Sequence, residues 1–151
     1  MSLITKQQAH FFDVFGYLSF PGLFNAEAEA ITEAFDAVWA EHGGVHNQRP
    51  HDHKQNSALL PFIDQHPYLC VLLDDERVES IGAGLLGDDF NYMSSDGNYF
   101  VGDTAWHSDG YKRAPGYLSI KLGFYLDPVG RDSGCLRMVP GSHRIGEVYA
   151  E

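Results

Sequence analysis

Positive charge is scarce in this sequence. Ten lysines and arginines stand against 21 aspartates and glutamates, which gives a formal net charge of −11 at pH 7. Such an excess repels polyanions, so the charge argues against nucleic acid and anionic membrane surfaces as partners. No apolar run approaches the roughly 20 residues that span a bilayer. The N-terminus also lacks the basic and then apolar pattern of a signal peptide. We therefore expect a cytoplasmic protein with no membrane partner.

Cysteine is also scarce. The only two, Cys70 and Cys135, lie far apart in apolar segments and do not form a ligand-like pair. We expect free thiols, because a cytoplasmic protein seldom keeps a disulfide. The composition is globular, with 44% apolar residues, and 151 residues suit one domain better than two. The sequence therefore predicts a single domain over residues 1–151.

The N-terminal part carries two helix patterns. Thr5 and Gln8 have the spacing of a capping box, and apolar residues then recur at helical spacing until Gly16. The short apolar segment 17–20 ends at a Pro-Gly turn signal and predicts a strand. Residues 26–42 carry an apolar stripe with acidic residues between its members. This pattern predicts a longer helix that lies on an apolar surface.

A polar segment separates these helices from two more. Residues 45–57 contain three histidines without apolar anchors, so a loop near a site is favoured over a metal-binding tract. These histidines are His46, His51 and His53. Pro67 suits the first turn of a helix through residues 68–73. A further helix follows and should end at Gly87.

Beyond residue 87 the apolar pattern changes from helical spacing to alternation. It predicts short strands at 90–92, 99–101, 117–126 and 135–139, with a hairpin-type turn at 94–97 between the first two. The best of these strands is 117–126, in which every second residue from Leu118 to Phe124 is apolar. Helices followed by short strands predict an α+β domain whose sheet part is a sandwich or barrel.

The chemistry centres on His107 and Asp109. In an extended backbone residues i and i+2 point to the same side, so this imidazole and carboxylate can converge on one metal ion. They are two thirds of the 2-His-1-carboxylate triad that holds non-haem Fe(II) with open positions. For so short a triplet alone, a strand end with two solvated polar side chains is the favoured explanation. The surrounding sequence decides between the two interpretations.

Several blocks of sequence, taken together, resemble the phytanoyl-CoA dioxygenase family, a branch of the Fe(II)/2-oxoglutarate-dependent oxygenases. The blocks are residues 11–37, His66-Pro67-Tyr68, residues 86–88, Trp106-His-Ser-Asp-Gly110 and Ser133-Gly-Cys-Leu-Arg-Met-Val-Pro-Gly-Ser-His-Arg144. The resemblance implies a double-stranded β-helix, the jelly-roll or cupin-like core. Residues 1–87 would form a helical lead-in that flanks it, and residues 88–151 its strands.

The resemblance also implies an activity. The family hydroxylates small organic substrates and converts 2-oxoglutarate and O2 to succinate and CO2. Here His107 and Asp109 would bind the iron. Weaker candidates for holding 2-oxoglutarate lie on the strands that lead to or flank the metal: Asn91, Tyr92, Tyr99, Thr104 and Lys121. Trp106 is expected to pack beside the metal, and Ser108 should be structural.

One part of the family pattern has no match. The family places a distal histidine, followed by an arginine for 2-oxoglutarate, downstream of the Pro-Gly-Ser-His block, and the sequence reaches Glu151 before either. We therefore expect an N-terminal half to two thirds of such an enzyme, with an incomplete jelly roll. Its exposed sheet edge gives the chain a reason to form a homo-oligomer. His143 is the nearest substitute for the third ligand, but in a turn its ring should hydrogen-bond the backbone.

Two other interpretations belong to different functional classes. One is a non-catalytic fragment or binding module that keeps the fold without the iron site. The other is a cupin-type protein that binds another metal through His107, Asp109 and His143. Substrate identity does not follow from these residues.

Overall fold

The computed structural model describes residues 3–42, 57–100, 104–108 and 118–144. In chain order the elements are α1 (Lys6–Phe15), α2 (Ala28–His42), β1 (Ser57–Leu59), α3 (Pro67–Val71), α4 (Glu76–Leu86) and β2 (Gly97–Tyr99). Single 3-10 turns occupy Ile63–Gln65, Leu72–Asp74 and Ser142–Arg144. The described part is therefore α+β, as predicted. Within it, no helix is long and apolar enough to cross a membrane.

The capping chemistry of α1 is confirmed. The Thr5 hydroxyl accepts a hydrogen bond from the Gln8 amide at 3.1 Å, and the Gln8 side-chain oxygen accepts one from the Thr5 amide at 2.9 Å. The helix ends at Gly16, whose φ of 83° lies in the left-handed region that glycine adopts without strain. Both ends of α1 are thus set by local side-chain chemistry.

The core is built on one face of α2. Its buried residues repeat at helical spacing and are Ile31, Ala34, Val38 and Trp39. Phe62 and Leu69, both outside the sheet, complete this buried cluster. The helix begins at Ala28, two residues later than predicted, because the preceding residues form a turn in which the Glu27 amide donates to the Phe24 carbonyl at 3.1 Å.

The sheet differs from the predicted one. β2 pairs antiparallel with β1, with Ser57 opposite Tyr99 and Leu59 opposite Gly97, so the expected hairpin between 90–92 and 99–101 is wrong. The Ser95 hydroxyl accepts hydrogen bonds from the amides of Phe62 and Ile63 at 3.0 and 2.9 Å. These bonds hold the segment before β2 against the segment after β1, and so they favour β1 as the pairing partner of β2.

The other predicted strands do not form a hydrogen-bonded ladder in the described structure. Residues 17–20, 90–92, 118–126 and 135–139 carry no strand assignment in the described part of the chain. Alternating apolar residues are not sufficient for a strand, because a partner must also receive the backbone hydrogen bonds. Segment 118–126 instead contacts the N-terminal half of the chain: Phe124 packs on Phe24, in the turn before α2, with ring centroids 5.0 Å apart, and Leu126 packs against the core cluster.

Much apolar surface in this region is open to solvent. Leu118, Tyr125, Leu136 and Met138 are each exposed by more than half of their surface. The predicted homo-oligomer through this edge stays a prediction. Cys70 and Cys135 are free and half-buried thiols, as expected.

The two later helices agree better with the sequence. α3 ends at Val71 and continues as a 3-10 turn to Asp74, where a helix through residue 73 was predicted. α4 ends at Gly87 as predicted. Its N-cap is Asp75, whose carboxylate accepts a hydrogen bond from the Arg77 amide at 2.9 Å.

Candidate metal site

His107 lies in the short described segment 104–108, and its side chain is exposed. Its Nδ1 is 2.8 Å from the carbonyl oxygen of Ala105. A carbonyl can only accept, so Nδ1 must carry the proton and donate it. In the neutral ring the lone pair then belongs to Nε2. This is the arrangement of a metal-binding histidine whose second nitrogen is oriented by a backbone carbonyl.

The partner ligand Asp109 lies outside the described residues, as do His46, His51 and His53. Among the residues that are described, no three His, Cys, Asp or Glu side chains are grouped as a metal site. The convergence of His107 and Asp109 therefore stays a prediction from their spacing. The donor chemistry at His107 fits a divalent metal.

Trp106, next to His107, is 51% exposed. The guanidinium carbon of Arg137 lies 5.4 Å from the centroid of its ring, within the range of a cation–π contact. The group that packs on Trp106 is therefore the guanidinium of Arg137. Sequence reasoning missed Arg137; the available signal was an arginine inside an apolar, strand-like segment. Ser108 is half-buried.

The two tyrosines proposed for 2-oxoglutarate are engaged by carboxylates. The Tyr99 hydroxyl donates to Asp36 on α2 at 3.1 Å, and burial, followed by this hydrogen bond, raises the pKa of Tyr99 to about 12. The Tyr92 hydroxyl donates to Asp64 at 3.2 Å, and burial is the main cause that raises the pKa of Tyr92. Both phenols are thus held neutral as donors to the protein.

The other three candidates lie at the surface. Asn91 and Thr104 are exposed. Lys121 is also largely exposed, with 61% of its side chain accessible, and its ammonium lies 3.6 Å from an Asp96 carboxylate oxygen. The carboxylate that Lys121 meets in the described structure therefore belongs to the protein.

His143 lies far along the chain from His107 and contacts α1. Its Nε2 is 3.0 Å from the carbonyl oxygen of Asp13, so the backbone hydrogen bond expected for this turn histidine is confirmed. The ring lies against Gly16, and Nδ1 is the atom nearest to the place that a β-carbon of residue 16 would occupy.

Comparison with known proteins identifies the family. The family model for phytanoyl-CoA dioxygenase (PhyH) matches residues 12–151, which is nearly the whole chain. The chain belongs to the phytanoyl-CoA dioxygenase family. The resemblance stated from the sequence blocks is thereby confirmed. Neither the curated proteins nor the solved structures gave a match.

Membership of the phytanoyl-CoA dioxygenase family implies a jelly-roll fold and an oxygenase-type function. His107 and Asp109 both lie inside the matched range, and so do all five candidates for 2-oxoglutarate. The described residues contain four α-helices and one two-stranded sheet.

Proposed function

We propose that this chain is an Fe(II)/2-oxoglutarate-dependent oxygenase that hydroxylates a small organic substrate. The observation that carries the proposal is the hydrogen bond from His107 Nδ1 to the Ala105 carbonyl at 2.8 Å, inside the range that the family model matches. It prepares Nε2 as a metal ligand. Bound iron and 2-oxoglutarate would supply the oxidising chemistry, with O2 converted and succinate and CO2 released.

The chain's own residues would bind and orient the reactants. His107 supplies an imidazole and Asp109 a carboxylate, the two ligand types that leave open positions on non-haem iron. An aspartate at position 109 occupies a metal position that a small residue would leave to a halide, so it favours hydroxylation over halogenation. Trp106 and Arg137 form a cation–π contact next to His107 in the chain.

Of the candidates for the 2-oxoglutarate carboxylates, Lys121 is the best supported. Its pair with Asp96 is long, at 3.6 Å, and 61% of the lysine side chain is accessible. Such a pair contributes little to stability, so an incoming carboxylate can compete with Asp96 for the ammonium. Tyr92 and Tyr99 would each have to leave a carboxylate acceptor first.

We also propose that segments 118–126 and 135–139 are strands of a double-stranded β-helix. Both carry the apolar pattern of a strand in the sequence, and both present apolar side chains to solvent in the described structure. The family model covers both segments. A non-catalytic module of the same fold is the second candidate, and the titration below separates the two.

The test is an anaerobic titration with Fe(II) and then 2-oxoglutarate, followed by metal-to-ligand charge-transfer absorption. The parent and a His10→Ala control should both develop the band, because His10 is an exposed residue of α1. His107→Ala should abolish it. A parent that gives no band would sink the oxygenase proposal for this polypeptide and favour the non-catalytic module. Metal analysis that finds bound zinc or manganese, together with no response to 2-oxoglutarate, would favour the cupin-type alternative.

A further inference from the structure

The last carbonyl groups of α1 find partners in a distant turn. A helix C-terminus leaves its final carbonyls without intrahelical donors. The Phe15 carbonyl accepts from the Gly141 amide at 3.0 Å, and the Asp13 carbonyl accepts from His143 Nε2 at 3.0 Å. The Gly16 amide closes the end of the helix itself by donating to the Phe12 carbonyl at 2.7 Å. The turn thus supplies donors that the local sequence does not.

The imidazole of His143 lies in contact with Gly16. Gly16 has φ of 83°, and a β-carbon added there would overlap the His143 ring, with Nδ1 as its nearest atom. The ring also lies beside Phe12, with centroids 6.4 Å apart. Both ring nitrogens are therefore directed at α1: Nε2 at a carbonyl oxygen and Nδ1 at the glycine. Because Nε2 donates to a carbonyl, the lone pair of the neutral ring is on Nδ1, and that nitrogen lies against Gly16.

Charge supports the same contact. Arg144 Nη2 lies 2.7 Å from the Asp13 carboxylate. A cation at a helix C-terminus also interacts favourably with the helix dipole. The pair is exposed, so its contribution is smaller than that of the buried part of the contact.

We propose that the turn Pro140–Arg144 is a tertiary C-cap of α1, and that His143 is a positioning residue in it rather than the third metal ligand. The cap anchors one end of segment 135–144. Nearer the other end, Arg137 lies on Trp106, the neighbour of His107. The cap therefore helps to hold the candidate metal segment against the helical lead-in. This inference does not depend on the proposed function.

The first test is a double-mutant cycle between Gly16→Ala and His143→Ala, read by urea unfolding. His143→Ala should lower the ratio of folded to unfolded protein about tenfold, the usual scale for a lost hydrogen bond. Gly16→Ala should cost more alone than in the His143→Ala background, where the ring no longer opposes the new β-carbon. We expect a coupling of at least about fivefold.

Gly134→Ala is the matched control for the cycle. Gly134 also has a positive φ, 87°, but nothing lies within 4 Å of its added β-carbon. The changes in unfolding free energy caused by Gly134→Ala and His143→Ala should therefore be additive in the double variant. If the changes in unfolding free energy caused by Gly16→Ala and His143→Ala are additive as well, the proposed C-cap contact is wrong.

The second test separates a cap from a ligand. In His143→Gln the side-chain amide can still donate to the Asp13 carbonyl, so it should recover most of the stability lost in His143→Ala. Both variants should keep the Fe(II)–2-oxoglutarate absorption band of the parent, whereas His107→Ala loses it. A His143→Gln protein that is stable but has lost the band would make His143 a metal ligand and overturn the proposal. If the parent shows no band, the proposed function fails and the cycle alone decides the cap.

Discussion

The guanidinium carbon of Arg77 lies 3.9 Å from the centroid of the Phe24 ring. In the plane of the same guanidinium, Nη2 donates to Glu27 at 2.9 Å and to Asp75 at 2.8 Å, and Nη1 donates to the Leu23 carbonyl at 2.8 Å. One side chain therefore joins the start of α4 to the turn that precedes α2. Among the described residues, no other ion pair joins these two parts of the chain.

Replacement of Arg77 by lysine should destabilise the fold although the charge is kept. A lysine ammonium cannot bond two carboxylates and a carbonyl while it also stacks on a ring, because it lacks the planar fork. We expect the Tm to fall by several degrees in thermal unfolding followed by circular dichroism. Arg131→Lys, at an exposed turn, should leave the Tm unchanged. Equal effects of the two substitutions would show that the Arg77 contacts contribute no more than those of a surface arginine.

The same cluster predicts a dependence of stability on acid. The hydrogen bond from Arg77 is the main cause that lowers the pKa of Asp75 from 3.8 to about 2, and it also lowers the pKa of Glu27. A carboxyl with a depressed folded-state pKa stabilises the protein above its unfolded pKa. That stability is lost as pH falls from about 3.8 through about 2. Asp75 should contribute about 1 kcal/mol, after allowance for solvent screening.

The measurement is urea unfolding of the parent and Asp75→Asn between pH 5 and pH 2. Asparagine keeps the N-cap of α4 but cannot ionise, so the variant isolates the charge. The stability difference between the two proteins should shrink as pH falls. A difference that stays constant over this range would contradict the shifted pKa.

Local chemistry explains which parts of the fold the sequence predicted. The ends of α1 follow from Thr5, Gln8 and Gly16, which act within one turn of the helix, and Gly87 ends α4 in the same way. The pairing of β2 with β1 could not be predicted in this way. It depends on the Ser95 hydroxyl, which accepts hydrogen bonds from amides more than thirty residues earlier in the chain. Local patterns contain no information about such a contact.

The candidate site shows the same division. His107 and Asp109 were found from their spacing and the surrounding motif. The proton on His107 Nδ1 and the approach of Arg137 to Trp106 need coordinates, because they depend on backbone geometry and on a segment thirty residues away. The cluster around Arg77 was missed for the same reason, since Glu27 lies fifty residues from Arg77.

Tyr99 should titrate late and make stability fall at high pH. Burial and the hydrogen bond to Asp36 raise its pKa from 10.0 to about 12. A phenol with a raised folded-state pKa contributes stability that is fully present below pH 10 and is lost as pH rises toward about 12. Absorbance at the phenolate band should show one tyrosine that ionises near pH 12 in the folded protein and is absent from Tyr99→Phe. Full ionisation of all tyrosines near pH 10 in the folded protein would contradict the contact with Asp36.

Gly97 should tolerate no side chain, because a β-carbon there would overlap the Phe62 ring. Phe62 is buried and packs on Phe35, with ring centroids 4.9 Å apart, so it cannot move without disturbing the core. We expect Gly97→Ala to cost about 1–3 kcal/mol, the usual scale for overpacking. Gly123→Ala is the control, because nothing lies within 4 Å of its added β-carbon. Its effect on urea unfolding should stay within about 0.5 kcal/mol.

A second substitution tests whether Phe62 is the cause. Phe62→Leu creates space above Gly97, so Gly97→Ala should cost less in that background than in the parent. The cost should fall because the shorter leucine side chain no longer fills the volume that the new methyl group needs. If Gly97→Ala costs the same in both backgrounds, its effect comes from the backbone of β2, and the packing of Phe62 on Gly97 is not what requires glycine at this position.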